Sequence, residues 1–173
     1  DGHTLPMRHW QPEERAPEAI IIALHGFNDY SNAFAAPGEY LSRHGIAVYA
    51  YDQRGFGKTP QHGIWAGQEN LTQDVEQMVR AVADLHPRIP IYLLGESMGG
   101  AVVITSLAEQ DLPQVKGAVL TAPAVWGDET MNVLYRASLW TMAHMLPQME
   151  LTGKGLKILA SDNIEMLRAM SRD

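Results

Sequence analysis

Four short apolar runs punctuate the chain, and a loop of glycine or small polar residues follows each. They are AIIIAL at Ala19 to Leu24, IAVYAY at Ile46 to Tyr51, IPIYLLG ending at Gly95, and KGAVLTAPA ending at Ala124. Unbroken β-branched and aliphatic runs of this length predict strands buried on both faces. Between them the period changes. A helix is predicted from about Ala33 to His44, with Gly45 as its stop. From Asn70 to Leu85 the apolar residues Leu71, Val75, Met78, Val79, Val82 and Leu85 recur at three and four, an amphipathic helix with Asn70 as its cap. Met98 to Gln110 is rich in Ala, Val and Leu and predicts a buried helix. Residues Asp1 to Trp10 suit a first strand or hairpin arm, ahead of the polar, Pro-punctuated turn QPEERAPEA. Strands alternating with helices predict an α/β fold: a mostly parallel sheet covered on both faces. Ligands of such sheets sit at the carboxyl ends of the strands, so the loops after the apolar runs are the informative ones.

The pattern shifts after Pro123. Met131, Leu134, Tyr135, Leu139, Met142, Met145 and Leu146 fall at helical spacing, with Trp140 and Ala143 on another face. A helix apolar over so much of its circumference is either a core helix or a lid whose inner face meets a greasy substrate, a use that suits methionine. The chain therefore divides into a core at 1–123 and a helical lid at 124–173.

The third strand runs straight into Gly95-Glu96-Ser97-Met98-Gly99, and the Ala/Val-rich helix follows at once. G-x-S-x-G is a weak pattern alone, but between a strand and a helix it describes a turn that exposes a serine hydroxyl above a sheet. Only small residues two before and two after such a serine avoid collision. The helix that follows aims its amide end at the same place and favours developing negative charge. Ser97 is the candidate nucleophile; the plain alternative is a tight turn with no chemistry. Acyl transfer also needs preformed donors for an oxyanion. The Met98 N–H is one candidate. The loop after the first central strand, LHGFND, offers the other at Phe27, with Gly26 letting the backbone turn inward. His25 reads as a brace for that loop rather than a general base. Asn28 and Asp29 either line the entrance or satisfy turn amides.

In YDQRGFGKT, Gly55 and Gly57 hint at a phosphate loop, but G-x-x-x-x-G-K-[ST] is missing. Asp52 and Arg54 are instead expected to tie this loop to its neighbours. Composition then narrows the field. A formal charge of −7, with 20 acidic residues against 13 Lys and Arg, argues against nucleic acid as a partner. The lack of cysteine excludes disulfides, thiolate catalysis and Cys-ligated metals.

LHGFNDYS, YDQRGFGKT, LLGESMGG and TAPAV, in this order and at these separations, resemble an α/β-hydrolase. The likeness is strongest to the branch that holds monoacylglycerol lipases and lysophospholipases, also grouped with serine aminopeptidases, and it extends through ASDNIEMLRAM in the lid. The resemblance implies that Ser97 attacks an ester carbonyl of a lipid-like substrate, that Phe27 and Met98 supply the oxyanion amides, and that no metal or organic cofactor takes part. It makes haloalkane dehalogenase or epoxide hydrolase chemistry a poor fit, since those relatives carry an aspartate where Ser97 stands.

One part of the family pattern is missing. The order along such chains is Ser, then Asp or Glu, then His. Only His144 follows Ser97, and it lies in the Met-rich helix; Asp128 and Asp162 also fall in lid-like sequence. The chain is therefore expected to be an N-terminal fragment, inactive alone, whose base and acid lie beyond Asp173. A sheet cut there exposes an edge and an apolar face, so association with a missing C-terminal segment or with itself is expected. Peripheral membrane contact through the lid is a further expectation. A peptidase, a small-ester hydrolase, and a non-catalytic binding protein of the same fold remain the rival readings.

Overall fold

The computed structural model describes residues 2, 4–125 and 131–145. Five strands form one sheet: β1 (Met7–Trp10), β2 (Ala19–Leu24), β3 (Ile46–Tyr51), β4 (Ile91–Glu96) and β5 (Val115–Thr121). Their order is β1-β3-β2-β4-β5, with β1 antiparallel to β3 and every other pair parallel. The helices are α1 (Ala35–Arg43), α2 (Gln68–Leu85), α3 (Met98–Glu109) and α4 (Val133–Met145), and a 3-10 turn at Ser31–Phe34 precedes α1.

The two-residue period of β2 explains the layering. Ile20, Ile22 and Leu24 point to one face, where they join Leu71, Val75, Val79 and Val82 of α2 and Val102 and Val103 of α3. Ala23 and partly buried Ile21 point to the other face, with Phe34, Leu41 and Trp10. The predicted buried strands β2 and β3 are buried on both faces. β5 is not: among the described residues it lies at the sheet's edge, with Val119 53% and Leu120 40% exposed. It reads as buried because apolarity reports what a strand needs and not what covers it.

Two helix starts differ from expectation. The first turn of the α1 segment is 3-10, beginning at Ser31. α2 is capped by Gly67 at φ 85 and not by Asn70, whose Nδ2 donates to the Ala66 carbonyl at 2.8 Å. The helix starts earlier because Gln68 and Glu69 are polar and carry no apolar period to mark it. Leu85, at the end of the α2 stripe, is 68% exposed. α4 forms within the lid-like segment and exposes Val133, Leu134, Trp140 and Met145. No helix among the described residues is long and apolar enough to cross a membrane.

The chain order reverses at β2, which has β3 on one side and β4 on the other. In doubly wound sheets that reversal opens a crevice at the carboxyl ends of the strands. Leu24 of β2 is in register with Gly95 of β4, so the loops after them leave the sheet side by side.

Candidate active site

Ser97 sits between β4 and α3 with φ 50 and ψ −113. A serine there is strained, because Cβ crowds its own backbone. The surroundings hold it in place. The Ser97 N–H donates to the Thr121 carbonyl at 2.9 Å, and the Ser97 carbonyl accepts from Ala124 N–H at 2.8 Å and Ala101 N–H at 3.2 Å. The turn after β5 thus grips both sides of the serine, and its own Ala122 is left-handed at φ 42. Thr121 also donates its hydroxyl to the Gly95 carbonyl at 3.2 Å.

The glycines around Ser97 are there for close approach. A Cβ on Gly95 would lie 2.6 Å from Gly99 O and from Gly100 Cα. One on Gly99 would overlap the Leu24 carbonyl of β2. The first turn of α3 is thereby pressed against the ends of both β4 and β2.

Ser97 occupies the N-cap position of α3, yet its side chain makes no capping hydrogen bond. The hydroxyl is left available, at the end of a helix where N–H groups lack intrahelical partners and the dipole favours negative charge. Gly26 faces it: a Cβ added there would come 3.5 Å from Ser97 Cβ. The structure therefore brings Ser97, Met98 and the loop carrying Phe27 to one place. Met98 is buried, while the Phe27 ring is exposed and stands edge-on to Phe56, centroids 5.3 Å apart.

His25 is completely buried, and both ring nitrogens are engaged. Nε2 accepts the Gln53 N–H at 3.0 Å, which leaves the proton on Nδ1, 2.8 Å from the Gly26 carbonyl. Burial pulls the His25 pKa below its ordinary value; the Gly26 carbonyl, Asp29 and Asp52 oppose that shift more weakly. A neutral, doubly bonded, buried imidazole braces the loop. Asp29 Oδ1 accepts the Tyr30 N–H at 2.8 Å, so this carboxylate serves the turn, and Asn28 is left-handed at φ 59.

The loop after β3 is likewise scaffold. Asp52 accepts N–H groups from Ser31 and Lys58, each at 2.9 Å. Arg54 forms a buried two-point ion pair with Asp74 of α2, both bonds 2.7 Å. His144 bonds its Nδ1 to the Trp140 carbonyl of its own helix, 2.8 Å, and stacks on that indole. Asp128 and Asp162 lie outside the described residues. Among the described residues no group of three or more His, Asp or Glu is placed to hold a metal ion. A cavity of 290 Å³ opens elsewhere, beside Leu5, Thr59, Ile64 and Trp65. Two parts of this site are not legible in the sequence: the hold of Thr121 and Ala124 on Ser97, and Gln53. No local pattern marks either, because both act across the sheet.

The family described as serine aminopeptidase, S33, matches residues 15–173. A monoglyceride lipase of Rattus norvegicus is 27% identical over 168 residues, covering 96% of this chain and 55% of its own. A monoacylglycerol lipase of Mycolicibacterium smegmatis is 27% identical over 117 residues, covering 67% of this chain and 41% of its own. The chain spans about half the length of the curated relatives it matches. Among solved structures, the monoacylglycerol lipase of Paleococcus ferrophilus superposes with a TM-score of 0.72 at 21% identity, over 98% of this chain and 61% of that one. A soluble variant of the Saccharomyces cerevisiae monoglyceride lipase, bound to a substrate analog, gives 0.72 at 22% identity, over 90% of this chain and 55% of that one. At that identity these likenesses speak to the fold.

Proposed function

The chain belongs to the serine aminopeptidase S33 family and has the α/β-hydrolase fold, and on that premise we propose that it is the nucleophile-bearing part of a serine ester hydrolase acting on monoacylglycerol- or lysophospholipid-like substrates. Ser97 Oγ attacks the acyl carbonyl as a base takes its proton. The tetrahedral oxyanion is held by the Phe27 and Met98 N–H groups. Collapse expels the alcohol, which receives the proton, and water then releases the fatty acid from the acyl-enzyme. Neither His25, which is fully engaged, nor His144, which is bonded within its own helix, is assigned as that base.

One observation carries the reading: a serine held at φ 50, with its hydroxyl unused for capping, at the N-terminus of α3 and against Gly26. The lipid-like substrate is supported by the monoglyceride lipases named above and by the exposed apolar residues of α4. A fluorophosphonate probe should label Ser97 in the natural protein, and Ser97→Ala should abolish labelling and hydrolysis of long-chain monoacylglycerol. Labelling unchanged by that substitution would reject the assignment. The family's description favours a second reading, a peptidase. Faster turnover of aminoacyl substrates, with indifference to acyl-chain length, would select it.

A further inference from the structure

We propose that Gln53 is a positioning residue for the oxyanion loop, aiming the Phe27 N–H through two buried hydrogen bonds to His25. The proposal rests on the reading of Phe27 as an oxyanion donor.

The Gly26 carbonyl and the Phe27 N–H belong to one planar trans peptide and point in opposite directions. Whatever holds the carbonyl therefore aims the N–H. The Gly26 carbonyl accepts from His25 Nδ1 at 2.8 Å and, with longer geometry, from Asp29 N–H at 3.3 Å. His25 is thus the main hold, and the ring must itself be held. Gln53 does this from both ends: its N–H donates to Nε2 at 3.0 Å, and its side-chain Nε2 donates to the His25 carbonyl at 2.8 Å.

Gln53 and His25 are both completely buried, so water does not compete for these bonds. The Phe27 side chain adds little anchorage of its own, being exposed with a ring contact to Phe56. Gln53 Oε1 has no partner among the described residues. The Gln53 side-chain amide is thus held through its donor. Gln53 follows β3 and has no contact with the reacting atoms; it acts through His25.

Gln53→Met keeps the length and the main-chain N–H but removes the side-chain donor. In the natural protein, hydrolysis of p-nitrophenyl butyrate should lose about 10-fold in kcat with KM unchanged, a fraction of what deleting an oxyanion donor outright costs. Affinity for an alkyl boronic acid, whose adduct places an oxygen where the oxyanion forms, should fall by the same factor. A purely structural role would lower Tm without moving these two together. Variant kcat and boronate affinity within twofold of wild type would overturn the proposal, while wild-type labelling at Ser97 would still support the hydrolase reading. If the wild type is not labelled at Ser97, the hydrolase reading falls and takes the proposal with it. Should Gln53→Met not fold, ring 15N shifts of His25 in the wild type decide: a proton on Nδ1 and none on Nε2 supports the chain of bonds, and the reverse tautomer overturns it.

Discussion

Gly95→Ala is the sharpest probe of how the strand-to-helix turn is built. The new Cβ would lie 2.6 Å from Gly99 O and Gly100 Cα and 2.7 Å from Gly100 N. These are backbone atoms, which cannot rotate away as a side-chain tip can. Ordinary contact begins at 3.4 Å, so the start of α3 must back off by about 0.8 Å. Overpacking of this kind costs about 1–3 kcal/mol, which for a domain of this size lowers Tm by about 2–12 °C. The same displacement turns the Ser97–Met98 peptide, and with it the Met98 N–H, relative to the Gly26 loop. A misplacement near 1 Å costs on the order of 100-fold in rate, so fluorophosphonate labelling of Ser97 should slow by about that factor. Gly26→Ala is the comparison, since its Cβ meets Ser97 Cβ at an ordinary 3.5 Å and should leave Tm near wild type. Measuring labelling rate and Tm for both variants tests the geometry. Labelling of Gly95→Ala within threefold of wild type, or a larger loss of Tm in Gly26→Ala, would show that the turn is not held by this close approach.

Two further outcomes are expected. Asp74→Asn removes the negative charge from the two-point pair with Arg54, whose side chains are only 11% (Arg54) and 2% (Asp74) exposed. It should cost about 1.5–3 kcal/mol by urea denaturation, the range for hydrogen bonds to charged groups; a cost below about 0.5 kcal/mol would count against a structural pair. Because burial lowers the His25 pKa in the folded protein, the unfolded chain takes up this proton first as the pH falls. The His25 contribution to stability is therefore complete above about pH 6.5 and is lost as the pH drops from there towards the folded-state value. Denaturation curves between pH 8 and 5 should show this, and a His25→Asn variant with the same slope between pH 7 and 6 would assign the loss to other groups.

Much of the architecture is legible in the chain. β2 and β3 coincide with AIIIAL and IAVYAY because strands buried on both faces leave nothing polar in the run. The α2 stripe emerges because only one face of that helix is buried. Ser97 stands out because a glycine-flanked serine between a strand and a helix has few other uses. Boundaries set by backbone geometry are less visible: the Gly67 cap and the 3-10 turn at Ser31 leave no mark on the apolar period. The exposure of β5 among the described residues is invisible as well, since apolar composition does not report which neighbours cover a strand.

Residue order along the chain carries the α/β alternation, the strained serine turn and the glycines it demands, since these follow from local sterics and from burial period. It also identified His25 as a brace by its place ahead of the loop. What braces the brace emerges once the strands are assembled. β2, β3, β4 and β5 are far apart in sequence, and the parallel sheet sets their carboxyl ends side by side. There Gln53 reaches His25, and Thr121 and Ala124 reach Ser97. Hydrogen bonds of this kind depend on which strand lies next to which, and strand order is a property of the whole fold.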